Sequence, residues 1–242
     1  MNRFFTDNIQ NDQAILGEED AYHLKNVLRA RIGEEFEICD GVAHEYVAEL
    51  ISLDKKSAVL NILSEITVER EPHHRYCICQ CIPKGKKTDD VVRHCTELGM
   101  SDYFPVISER VNVKNIDEYD KTDRLQRVAD EAAKQSKRIK IPTINKPIKF
   151  SQLVTTAPQN AIKIIAWEEE HEISLRKALS AVNNDYEVYI LVGPEGGLSA
   201  EEVALAKENG WISVTLGKRI LRTETAPLTL LSAVSYQLED LE

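Results

Sequence analysis

The sequence predicts an α/β protein in two parts: a small β-rich N-terminal domain, then a mostly parallel sheet with helices on both faces. Three observations predict it. Short alternating strands with turn signals fill the first quarter of the chain. From about residue 74, apolar strands alternate with amphipathic helices, the pattern of a parallel sheet covered on both sides. Near the C-terminal end, two glycine-containing loops each follow a strand and open a helix. At 242 residues the chain is long enough for two domains.

Residues 1–70 make the first domain. Segment 18–29 reads as a helix, with acids first, basics last, and an apolar stripe of Tyr22, Leu24, Val27 and Leu28. Phe36-Glu37-Ile38-Cys39 alternates into Asp40-Gly41, a hairpin signal. Segments 47–51 and 58–63 are further strands, joined by a turn at Asp54-Lys55-Lys56-Ser57. The set predicts a β-barrel. Arg29 and Arg31, at the helix end, are candidate phosphate contacts; they equally suit a helix C-terminus with no other role. Residues 65–72 are charged, lack a period and end in a proline, which marks the linker.

Residues 71–242 make the second domain. Strands are predicted at 76–82, 104–107, 162–167, 186–192 and 211–216, and helices at 89–98 (closed by Gly99), 122–136 and 174–182. Cys77, Cys79 and Cys81 alternate and so share one strand face. Their spacing is not that of a zinc site, and small core residues account for them better. Lys86, Arg110, Lys114 and Arg138 stand in basic clusters on connections, candidates for contact with a polyanion against the alternative of ordinary solvated surface.

The first glycine loop is Leu191-Val192-Gly193-Pro194-Glu195-Gly196-Gly197-Leu198-Ser199. Ser199 and Glu202 have the spacing of a capping box, so a helix starts there. The loop lacks the Gly-Lys-Ser/Thr of a nucleotide-phosphate loop and the GxGxxG of a dinucleotide fold. What it presents is bare backbone: Gly193, Gly196 and Gly197 can take positive φ and admit a ligand close to main-chain groups. The second loop is Leu216-Gly217-Lys218-Arg219-Ile220-Leu221-Arg222-Thr223-Glu224-Thr225-Ala226-Pro227, with Pro227 suited to the first turn of a helix. Two such loops on neighbouring strands face one crevice.

Charge and composition narrow the function classes. The net charge is −10; residues 1–70 hold 7 Lys+Arg against 14 Asp+Glu, and the remainder 23 against 26. Any surface for a polyanion must then be a local patch, because no global field supplies it. No apolar run has the length of a membrane span, no signal peptide opens the chain, and five cysteines fit a reducing compartment. The expected location is cytoplasmic. The six histidines show no ligand spacing, and no metal site is expected.

The two loops in this order, with Thr96-Glu97-Leu98-Gly99 and Glu131-Ala132-Ala133 between, closely resemble the SPOUT methyltransferases. Within them the match is to the RsmE family of bacterial 16S ribosomal RNA uridine-N(3)-methyltransferases. The resemblance implies a trefoil-knotted methyltransferase domain, a PUA-like RNA-binding N-terminal domain, S-adenosyl-L-methionine as donor, and 16S ribosomal RNA or the assembled small subunit as partner. It also implies a homodimer with the last helix in or beside the interface. By matching motif it carries over Leu191, Gly193, Gly196, Gly197, Leu216, Gly217, Ile220, Leu221, Arg222, Thr225 and Ala226 as cofactor contacts, and Arg222 and Glu224 as catalytic. Spacing alone leaves a loop-shaping Arg222–Glu224 ion pair equally open. The chain departs from the family at Lys134, Lys137 and Lys218, each adding positive charge. A ribose 2′-O-methyltransferase and a non-catalytic RNA-binding module are the competing readings.

Overall fold

A computed structural model describes residues 1–85, 87–113, 116, 119, 121–180 and 187–241. The chain divides into two compact units. The first comprises Met1–Glu71 with Ala133–Ile141, and the second Pro72–Ala132 with Pro142–Glu242.

The first unit is a six-stranded sheet of β1 (Arg3–Phe5), β2 (Ile9–Gln10), β3 (Gln13–Leu16), β4 (Glu35–Cys39), β5 (Glu45–Leu53) and β6 (Ala58–Ile66), in the order β1-β4-β5-β6-β3-β2. The three strands predicted here, β4 to β6, are present and antiparallel. The Asp54 carboxylate accepts from the N–H groups of Lys56 and Ser57 in the predicted turn. Strands β1 to β3 are two to four residues long and carry too little alternation to be read. The predicted helix is α1 (Glu18–Tyr22), which runs into a π-helical stretch, His23–Leu28, ending at Arg29 with φ 54°. Its wider turn does not keep a stripe spaced at 3.6 residues. Leu24 is buried as expected, whereas Tyr22 and Val27 are 63% and 62% exposed.

Residues 133–141 join this unit through buried charge. Arg3, nearly inaccessible, donates to the Glu37 carboxylate at 3.0 and 3.2 Å, to Glu45, and to the Lys137 and Arg138 carbonyls at 2.8 Å each. Arg138 in turn lies 2.6 Å from Glu71. A buried charge is tolerable only with such partners.

The second unit is a sheet of β7 (Arg75–Cys81), β8 (Met100–Ile107), β9 (Thr143–Ile144), β10 (Ile148–Lys149), β11 (Ile162–Ala166), β12 (Glu187–Val192) and β13 (Ile212–Val214). The order is β10-β8-β7-β12-β11-β13, with β9 also on β8, and all these pairs are parallel. The helices are α2 (Lys87–Glu97), α3 (Thr122–Ser136, passing to the first unit at Ala133), α4 (Phe150–Thr156), α5 (Leu175–Leu179), α6 (Ala200–Glu208) and α7 (Ala226–Gln237). The predicted helix 174–182 is shorter here, and residues 181 and 182 lie outside the described residues.

Side-chain alternation divides the core. Tyr76 and Ile78 of β7 pack with α2, α3, α5 and α7 on one face. Cys77, Cys79 and Cys81 pack with α4 and α6 on the other, as the period of two predicts. The chain lays down β7, β8 and β10, crosses to β11, and only later inserts β12 between β7 and β11. Among the described residues no helix is long and apolar enough to cross a membrane.

The connection after β11 is fixed by Glu170, which is buried. Its carboxylate accepts from Ser213 Oγ, from the N–H groups of Glu172 and Ile173 at 3.0 and 3.2 Å, and from Lys207 Nζ at 3.4 Å. These donors, Ser213 foremost, pull the Glu170 carboxyl from its ordinary value of 4.5 to about 2. A carboxyl depressed on folding adds stability above its unfolded pKa, and that contribution is lost as pH falls through the folded value. Wild type should therefore be more stable than Glu170→Gln at pH 6, with the gap closing between about pH 4.5 and 2. Equilibrium unfolding of both proteins across that range measures it, and a pH-independent gap would contradict it.

Candidate functional site

The carboxyl ends of β11, β12 and β13 open into a cavity of about 950 Å³. Its walls are residues 166–168 with His171 after β11, 192–197 after β12, and 214–223 after β13, completed by Lys87 and Ala226. Ligands bind at this end of open parallel sheets because loops from adjacent strands converge there. The volume is within the range of small-molecule sites.

Three hydrogen bonds set the distance between the glycine loop and the 216–225 loop. Gln80, wholly buried in β7, accepts from Tyr103 Oη at 2.8 Å and donates to the Thr223 carbonyl at 2.8 Å. Thr223 Oγ1 then donates to the Gly193 carbonyl at 2.9 Å. The glycine loop is held from two further sides. Arg110 Nη1 donates to the Gly196 carbonyl at 2.8 Å, and Glu195 accepts from Lys84 N–H at 3.1 Å and Lys87 Nζ at 3.0 Å. The predicted capping box is formed, with Ser199 and Glu202 bonded reciprocally.

Of the three glycines predicted to use left-handed backbone, only Gly197 does, at φ 69°. Gly193 and Gly196 have ordinary φ; a methyl group on Gly196 would meet only the Arg110 side chain, at 3.4 Å and beyond. A methyl group on Gly197 would overlap the Glu168 carboxylate.

The predicted residues fall into several groups. Gly193, Gly196, Gly197, Leu216, Gly217, Ile220, Leu221, Arg222 and Ala226 all line the cavity. Leu191 does not: it is fully buried in the core, and its neighbour Val192 takes the wall. Thr225 is an exposed residue off the lining, just ahead of α7. Arg222 projects into solvent with 83% of its side chain accessible, and its guanidinium is 3.8 Å from Glu224, a loose pair. Glu224 is three-quarters covered and lies 3.2 Å from Lys87 Nζ. Lys87 thus bridges carboxylates from both loops, Glu195 first and then Glu224, and both raise its pKa above the ordinary lysine value.

The predicted RNA contacts also separate. Arg29 and Arg31 are exposed on the first unit. Arg110 is bonded to the glycine loop. Arg138 is 95% buried and paired with Glu71, so it fastens residues 133–141 and does not present a surface cation. Lys86 and Lys114 lie outside the described residues. Sequence reasoning missed Lys87, Gln80, Glu168 and His171. Gln80 carried a usable signal, since a lone polar residue in an apolar strand must have buried partners. Lys87 sat in a basic run that marked it no more than its neighbours.

With this geometry in place, comparison with known proteins is consistent across both units. A family model described as an RNA methyltransferase domain matches residues 69–235, and one described as an RNA methyltransferase PUA domain matches residues 16–63. The chain is 35% identical to ribosomal RNA small subunit methyltransferase E of Bacillus subtilis, over 93% of this chain and 90% of that one. It is 33% identical to the protein of that name from Aquifex aeolicus, covering 96% and 98%. The crystal structure of the Neisseria gonorrhoeae ribosomal RNA small subunit methyltransferase E, bound to S-adenosyl methionine, superposes with a TM-score of 0.87 at 31% identity, over 98% of this chain and 97% of that one. The chain belongs to the RNA methyltransferase family of ribosomal RNA small subunit methyltransferase E.

Proposed function

We propose that the chain transfers the methyl group of S-adenosyl-L-methionine to ring nitrogen-3 of a uridine in 16S ribosomal RNA, with residues 1–70 as a PUA-like RNA-binding domain and 71–242 as the catalytic domain. The observation that carries this is the site's division of character. Glycine-rich backbone forms the cavity wall, while a loosely paired arginine stands at its lip beside a carboxylate held by Lys87. The residues fit the donor: Gly217, where an added side chain would meet open space, lets an adenosyl group come close to main-chain N–H and C=O groups, and Gly193, Gly196 and Gly197 line the same cavity. When bound, the donor supplies a methyl group already activated on a sulfonium.

The acceptor sets the remaining demands. Uracil nitrogen-3 carries a proton and becomes nucleophilic as that proton leaves and charge builds on the flanking carbonyl oxygens. Arg222, with its planar pair of N–H donors, meets that charge, and Glu224 accepts the proton. Lys87 ties Glu224 to Glu195 of the glycine loop, which fixes the proposed base relative to the cavity wall. Arg29 and Arg31, both exposed on the first unit, are the cations we assign to phosphate contact.

Arg222 acts on charge that exists only in the transition state, so its loss should appear in turnover and not in donor affinity. Arg222→Ala is expected to lose about 100-fold or more in rate, and Arg222→Lys, lacking the fork, should also lose substantially. Single-turnover methylation of small-subunit RNA, paired with a donor titration, measures both; mass analysis of the product places the methyl on base or ribose. Near wild-type rates would make Arg222 structural, and a ribose methyl would favour 2′-O transfer.

Backbone strain gives an independent test of the loop. Gly197→Ala forces a side chain into left-handed backbone and should cost about 1–2 kcal/mol, while Gly196→Ala should stay within about 0.5 kcal/mol. Thermal unfolding of the two variants compares them; equal losses would contradict the assignment.

A homodimer built around α7 completes the proposal. Leu230, Leu231 and Val234 are consumed by the core of the second unit, so they are not available to an interface. What α7 leaves outward is Tyr236, 70% exposed, with Leu228 and Leu238 half-buried. Light scattering at micromolar concentration should give twice the 27.4 kDa chain mass, and Tyr236→Glu should lower it.

A further inference from the structure

Two carboxylates line the cavity, Glu168 and Glu195. Glu195 is committed to Lys84 and Lys87. Glu168 has no hydrogen bond or ion pair to any group among the described residues, although Lys218 and Arg219 line the same cavity. A carboxylate left without partners inside a binding cavity has acceptor capacity available for a ligand.

Its position is set by two parallel strands in register. Ala166, the last residue of β11, pairs with Val192, the last residue of β12. Gly193–Gly197 continues from one strand and Glu168 stands two residues beyond the other. The carboxylate lies directly against Gly197, where any side chain would overlap it. Glycine at 197 therefore serves two ends, permitting φ 69° and leaving the space that Glu168 fills. An acidic group just past one parallel strand, beside a glycine turn closing its neighbour, is a general solution for reading a nucleoside. The turn lets backbone approach, and the carboxylate accepts from ribose hydroxyls.

We propose that Glu168 is a donor-binding residue that accepts hydrogen bonds from the ribose hydroxyls of the adenosyl group. This rests on the methyl-donor reading of the cavity. Ribose hydroxyls are the same in donor and demethylated product, so the contact serves both equally. A counter-charge to the sulfonium would favour the donor alone.

Calorimetric titration of wild type, Glu168→Gln and Glu168→Ala with S-adenosylmethionine and S-adenosylhomocysteine tests it. Both variants should weaken both ligands by the same factor, about 10-fold or more, as expected for hydrogen bonds to a charged acceptor. Wild type should lose a similar factor toward the 2′-deoxy or 3′-deoxy form of S-adenosylhomocysteine, and Glu168→Ala should lose nothing further toward that form. The wild-type arm needs no variant to fold. Unchanged affinity in both variants, a loss confined to S-adenosylmethionine, or wild-type indifference to both deoxy ligands would each overturn the assignment. If wild type binds neither parent ligand, the methyl-donor reading falls with it; if only the deoxy comparison fails, that reading stands and Glu168 alone is reassigned.

Discussion

The site depends on one buried side chain. Gln80 replaces what would otherwise be an apolar residue in the central strand β7, and its amide links Tyr103 on β8 to the Thr223 carbonyl of the distant 216–225 loop. Thr223 passes the link to Gly193. Buried polar groups left unpaired cost more than the bonds between them gain, so this chain resists any partial arrangement. With Thr223 pinned one residue away, the exposed Arg222 side chain stands on a fixed stem. The backbone beneath Arg222 is thus held while its side chain reaches solvent.

Charge is arranged locally in the same spirit. The chain is acidic overall, at −10, yet the cavity lining carries Lys87, Lys218, Arg219 and Arg222 against Glu168 and Glu195. Concentrating cations on the 218–222 loop gives attraction for a polyanion where it is useful, and screening leaves the acidic remainder little influence beyond about 10 Å. The buried cations do a different job. Arg3 and Arg138 are spent on carboxylates and carbonyls within the first unit, so a count of basic residues overstates what faces solvent.

The sequence carried the fold wherever a period of 2 or 3.6 ran for several residues. Strands β4 to β8 and β11 to β13, the capping box at Ser199 and helix α3 were legible for that reason. Strands β1, β2, β9 and β10 were not, because two or three residues cannot show alternation and exist only by pairing with a neighbour. The π-helical stretch at His23–Leu28 defeated the stripe argument by changing the period itself. Strand order was also beyond pattern. Nothing local tells β12 to enter between β7 and β11, and that placement, which brings Gln80 under Thr223, follows from long-range packing.

The candidate site shows the same limit at the scale of single residues. Motif matching located the loops but not the supports that lie outside them, Gln80 and Lys87, nor did it separate the lining residues of the matched stretch from its core residues. Leu191 illustrates the difference. It belongs to the matched stretch, yet strand alternation turns it into the core and puts Val192 on the wall. Arg138 shows the converse, a basic residue in a basic run whose charge is consumed by Glu71. Glu168 lies outside both motifs, and only the register of β11 against β12 brings its carboxylate onto Gly197. A residue's role here is decided by which strand end it follows and whether its charge is already met, and neither is written in its immediate neighbours.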